Sequence, residues 1–116
     1  MTLEQFYEKV GGDYRDVTSR LVSESLVKRF LLMFLQDPSF LQLKKALDSG
    51  NADPAFRAAH TLKGVCSNLG LSRLQTLAAE LTELLRGRTF EKGLQELFAD
   101  VEKEYNVVTA AIEQIE

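Results

Sequence analysis

Apolar residues recur along most of this chain at steps of three and four, the period of helices that bury one side. From Thr2, the residues Leu3, Phe6, Tyr7 and Val10 fall on one side of a short helix. Thr2 and Gln5 are spaced for a capping box, and Gly11 and Gly12 stop the helix. Residues 13–22 are polar with scattered apolar positions and read as partly helical. They lead into a core helix over 23–36, in which Leu26, Val27, Phe30, Leu31, Phe34 and Leu35 keep the period. Asp37-Pro38 is a restart signal, a capping residue followed by proline at the first helical position, for a helix with Phe40, Leu43, Ala46 and Leu47 inside. Gly50 closes it, and Asp53-Pro54 repeats the opening signal for the next helix, which Gly70 ends.

Ser72 and Gln75 are spaced for a second capping box. The helix they open has Leu74, Leu77, Ala78, Leu81 and Leu85 inside, and Glu80 and Glu83 outside. Because the link at Gly70 is so short, these two helices are expected to form an antiparallel hairpin. A last helix is expected from near Thr89, carrying Phe90, Leu94, Leu97, Val101, Tyr105, Val108, Ile112 and Ile115. No alternating run or Asn-Gly hairpin signals a strand. The expected fold is all-α: an antiparallel four-helix bundle with short additional N-terminal helices, in one domain over residues 1–116.

Residues 58–70, AAHTLKGVCSNLG, break the monotony of the pattern, since they hold the only histidine and the only cysteine. At about 100° per residue, Ala55, Ala58, Ala59, Leu62, Val65, Cys66 and Leu69 fall within roughly 60° of Leu62, a single apolar stripe. His60 lies about 160° away from that stripe, beside Gly64, Ser67, Phe56 and Arg57. It therefore faces outward. Gly64 sits inside an otherwise good helix, where glycine costs about 1 kcal/mol relative to alanine. Its place one turn after His60 leaves a bare patch beside the imidazole, open to the backbone or side chains of another protein. Lys63 adds a positive charge within reach of anything bound to the ring.

Composition narrows the classes. With 45% hydrophobic and 27% charged residues the profile is globular, and a net charge of −3 does not fit a nucleic-acid binder. The N-terminal residues lack a long apolar run, and the most apolar segment, 30–35, is far shorter than a membrane span. A lone cysteine on the apolar stripe reads as a small core residue in a reducing compartment, so a cytoplasmic location and no membrane contact are expected.

The string HTLKGVCSNLG resembles the signature of the histidine-containing phosphotransfer (HPt) domains of multistep phosphorelays, H-x-L-K-G followed by small residues, a hydrophobe and Gly. The similarity extends from about Val10 to the end of the chain. It implies that His60 is the phospho-acceptor, Lys63 its electrostatic support and Gly64 the position kept small for a docking partner. Many members carry Gln or Glu, whose side chain would support the imidazole by a hydrogen bond, where this chain has the shorter Thr82 as the candidate for that support. The implied partners are receiver domains of response regulators and a hybrid histidine kinase, with this chain a monomer. No cofactor of its own is implied, Mg²⁺ being the receiver's.

Each residue also has a plainer reading. His60 alone would be an ordinary surface histidine; Gly64, Lys63 and the whole string reverse that. Phe56 is either part of a docking surface or a boundary residue under the N-terminal helices. Arg57 meets phosphate or an acidic partner, Ser67 extends the small patch or is plain helix surface, and Asn68 caps the helix end. A neutral imidazole, which ordinarily titrates near pH 6.5, is a competent nucleophile without special tuning. His60 and Cys66 point to opposite sides, so neither a thiol-imidazole pair nor a zinc site follows. No glycine-rich phosphate loop or kinase signature occurs, which fits a phosphocarrier without its own ATP-dependent activity. The alternative of another class is a helical adaptor that binds a receiver or kinase without carrying phosphate.

Overall fold

In the computed structural model, which describes residues 1–116, the chain folds into seven α-helices and no strand. They are α1 (Leu3–Val10), α2 (Tyr14–Leu21), α3 (Glu24–Phe34), α4 (Ser39–Asp48), α5 (Ala52–Asn68), α6 (Ser72–Leu85) and α7 (Leu94–Ile112). Helices α4 to α7 form the antiparallel bundle. Helices α5 and α6 are its hairpin, and α7 returns along both α6 and α4. The α4–α7 seam is aromatic: Phe40 stacks on Tyr105 at 4.1 Å and on Phe98 at 5.8 Å between ring centroids, and Lys44 pairs with Glu102 at 2.9 Å. No helix is long and apolar enough to cross a membrane.

Helix α1 has the expected start and stop. The Thr2 hydroxyl and Gln5 side chain form a reciprocal capping box, and Gly11 adopts the left-handed conformation at φ 65°. The turn after α1 then clasps the α5–α6 link. Tyr7 donates its hydroxyl to the Leu69 carbonyl at 2.6 Å, Asp13 N–H donates to Gly70 O, and Arg73 N–H donates to Gly11 O. Gly12 is needed there because a Cβ would meet the Gly70 carbonyl and the Tyr7 ring, each at 2.6 Å.

Four boundaries differ from the sequence expectation. Helix α4 starts one residue late: Pro38 takes the cap position, and the Asp37 carboxylate accepts the Ser39 N–H at 2.9 Å. Helix α5 starts at Ala52, after Asn51, rather than at Pro54. Proline is tolerated within that first turn because its missing N–H would have had no intrahelical acceptor. The capping box at Ser72 and Gln75 does not form: Ser72 is already helical, Leu71 is the buried cap residue, and the Gln75 amide donates to Leu71 O at 2.8 Å. The last helix starts at Leu94, after Gly93 at φ 90°, not near Thr89, and Phe90 is 48% exposed. Left-handed backbone at Arg88, φ 56°, already turns the chain away from a helical path.

Candidate functional site

Helix α5 is buried along Ala55, Ala58, Ala59, Leu62 and Cys66, with Val65 half-buried, and this stripe fixes its rotation. His60 is consequently exposed on the outer side and makes no hydrogen bond within the chain. One turn on, a Cβ built at Gly64 would meet no atom within 4 Å, so the ground beside the imidazole is open. Cys66 lies on the other side. Burial, and to a smaller degree Asp37, push its thiol up to about 12, which keeps it protonated and unreactive.

Lys63 is half-buried on the side of α5 that faces α6. Across from α5 on α6, the Glu83 carboxyl is held below the usual carboxylate range, chiefly by the hydrogen bond from Arg86 and to a lesser degree by the charge of Lys63. Arg86 grips that carboxylate with two N–H donors, at 3.0 and 2.7 Å. A fork of this kind orients the Glu83 carboxylate toward Arg86, although exposed pairs contribute little to stability.

Thr82 does not play the supporting part that the resemblance gives its position. It is 0% exposed, and its hydroxyl donates to the Ala78 carbonyl at 2.7 Å, one turn back in α6. The short side chain bonds to its own helix backbone, as threonine in a helix interior often does, and presents nothing to the exposed ring.

Phe56 is half-buried, with its ring nearly parallel to the imidazole, 16° between planes and 6.2 Å between centroids. It is not tucked under the N-terminal helices. The Arg88 guanidinium lies over its ring at 3.9 Å and that of Arg86 at 5.3 Å. Arg57 is strongly exposed and paired with Asp53 at 2.9 Å, and the same carboxylate also accepts from Arg88 Nε at 3.1 Å. Arg57 thus sits on the flank with much of its charge answered. Ser67 is exposed beyond Gly64. The end of α5 is capped by Arg20, which donates to the Ser67 and Asn68 carbonyls at 3.2 and 3.0 Å; the Asn68 side chain makes no hydrogen bond there.

The structure therefore brings His60, Lys63, Gly64, Ser67 and Phe56 to one surface, leaves Arg57 at its edge, and removes Thr82 to the core. Glu83, Arg86, Arg88 and Asp53 belong to that surface as well: Glu83 and Arg86 pair three residues apart, whereas Arg88 meets Asp53 across 35 residues of chain, a pairing with no local signature.

The fold is thus a helical bundle that presents one uncrowded, outward histidine flanked by a lysine and a bare glycine. The profile of the Hpt domain family matches residues 29–116, and the chain belongs to that family. The match takes in α4 to α7 and most of α3, while α1 and α2 precede it. No curated protein and no solved structure gives a match. Membership makes histidine phosphotransfer in phosphorelays the general role, in a family of phosphocarriers that interact with receiver domains and kinases.

Proposed function

We propose that this chain accepts a phosphoryl group on His60 from a receiver-domain aspartate in a multistep phosphorelay and passes it to a second receiver. The observation that carries this reading is the exposed His60 beside a position, Gly64, where even a Cβ would touch nothing. In the forward step the lone pair of the imidazole Nε2 attacks phosphorus in line. The N–P bond forms, the P–O bond to the aspartyl carboxyl breaks, and the carboxylate leaves with the electron pair. The reverse sequence on another aspartate discharges the ring. Lys63 supports the negative charge that arrives on the phosphoryl oxygens.

The receiver contributes the Mg²⁺ and the acidic pocket, so this chain needs only a nucleophile and a docking face. It acts as a phosphocarrier without a nucleotide site, in the cytoplasm, as a monomer. A hybrid histidine kinase is the expected source of the first receiver.

The test uses receiver domains of the host, phosphorylated with labelled phosphate and mixed with the chain. Acid-labile label should move to the wild type and not to His60→Gln, while the variant keeps its fold, since an outward side chain adds little to the core. Label retained on His60→Gln places the acceptor elsewhere. Binding of receivers without any transfer supports the adaptor reading instead.

A further inference from the structure

The imidazole of His60 has no hydrogen-bond partner, and the residue expected to hold it, Thr82, is committed to its own helix. An exposed ring without an anchor turns freely about two torsions, whereas in-line attack needs the Nε2 lone pair held on one axis. The structure offers one orienting contact, the near-parallel Phe56 ring. That ring is in turn covered by Arg88, and Arg88 is fixed more firmly than an exposed arginine usually is. Its Nε donates to Asp53, its Nη1 donates to the Arg86 carbonyl at 2.7 Å, and its backbone N–H donates to Leu85 O at 2.9 Å.

The backbone of Arg88 carries a cost that makes the arrangement informative. It is one of two non-glycine residues with positive φ, at 56°, a conformation that is unfavourable for a side chain with a Cβ. Glycine would take that turn without strain, and Gly87 stands directly before it. The residue that does take it sets its guanidinium over Phe56.

We propose that Arg88 is a positioning residue, acting through Phe56 to hold the His60 imidazole in the orientation used for phosphoryl transfer. Asp53 is the anchor of this column at the start of α5. The inference rests on His60 being the phospho-acceptor. It assigns to a cation and an aromatic ring the support that Thr82 does not give.

The test has two independent readouts. His60 is the only histidine, so its ring signals in a ¹H–¹³C NMR spectrum need no assignment. In the unphosphorylated protein alone, Arg88→Gly, which suits the backbone turn, and Phe56→Leu should each move the imidazole shifts toward free-histidine values. Phe56→Tyr, which retains the ring, should leave them near wild type. In single-turnover transfer from a phosphorylated receiver, Arg88→Gly and Phe56→Leu should each lower the rate at saturating receiver by roughly five- to tenfold, the scale of losing one orienting contact. The half-saturating receiver concentration should not change, and the double variant should be no slower than Phe56→Leu.

Unchanged imidazole shifts in Arg88→Gly overturn the proposal whatever the receivers do. So does a rise in half-saturating concentration at an unchanged saturated rate, which would make these residues docking contacts, or additive losses in the double variant, which would mean that Arg88 acts on the phosphoryl group directly. If the shifts respond but no receiver transfers phosphate, the column stands and the phosphorelay reading fails. If transfer reaches His60 and neither readout responds, the phosphorelay reading stands and the column fails.

Discussion

Replacing Gly64 separates a site for a partner from a site for the fold, because stability and transfer should move in opposite directions. In Gly64→Gln the new Cβ meets no atom within 4 Å, and the backbone there lies outside the left-handed region, so no clash or strain opposes the change. What remains is the relief of the glycine penalty in a helix interior, about 0.5–1 kcal/mol after the smaller helix preference of glutamine is set against that of alanine. At about 2.1 cal/mol/K per residue, unfolding all 116 residues carries an entropy near 0.24 kcal/mol/K, so the melting temperature should rise by about 2–4 °C.

On the proposed function, a glutamine side chain over the same patch stands where a receiver brings its aspartyl phosphate against His60. Transfer from a phosphorylated receiver should slow, with the loss appearing mainly in the half-saturating receiver concentration. Gly64→Ala should stabilise at least as much and slow transfer less, because it adds only a methyl group. Calorimetric melts beside transfer kinetics with one receiver decide the matter. A variant that melts lower refutes the claim that Gly64 faces open space. A variant that melts higher and transfers at the wild-type rate and half-saturation refutes the claim that the bare patch receives the partner.

Other substitutions probe the scaffold around the site. Thr82→Val should leave transfer unchanged and cost at most about 1 kcal/mol, since it removes one local hydroxyl bond to Ala78; a large transfer defect would restore Thr82 to the site. Tyr7→Phe strips a buried hydroxyl from the Leu69 carbonyl and should cost about 1–3 kcal/mol, read as a lower denaturant midpoint at unchanged slope. Cys66 should resist alkylation at pH 8 until denaturant is added. The folded thiol stays protonated to about 12 while the unfolded one ionises near 8.5, so the folded state binds more protons between them. Stability from this group is intact below about pH 8.5 and falls as pH rises toward 12, and a Cys66→Ala variant should lose that part of the alkaline decline.

The parts of the fold legible in the sequence are those set by one period within one helix. The α5 stripe determined which way His60 points, because a helix with that many small and apolar residues on one side has one rotation that buries them. Phe90 misled for the same reason. It lies four residues before Leu94, in phase with the α7 face, yet the left-handed backbone at Arg88 and Gly93 breaks the helix before that phase applies. The second capping box failed because the helix starts one residue early: with Leu71 as the cap residue, the Gln75 amide that Ser72 would have capped donates to Leu71 O at 2.8 Å.

Asp53 shows why half of the site lay beyond sequence reasoning. Read as a cap, Asp53-Pro54 would spend the carboxylate on the first free amides of α5. In the structure the helix begins at Ala52, so Asp53 falls within the first turn and its side chain points outward to Arg57 and Arg88. A shift of two residues in one helix start thus turns a local capping group into a long-range anchor. Through Arg88 that anchor ties the loop after α6 to the aromatic ring beside the histidine. Both possibilities are compatible with the same dipeptide. Nothing within the dipeptide distinguishes them, because the arginine that meets Asp53 in the structure lies 35 residues away on the turn after α6.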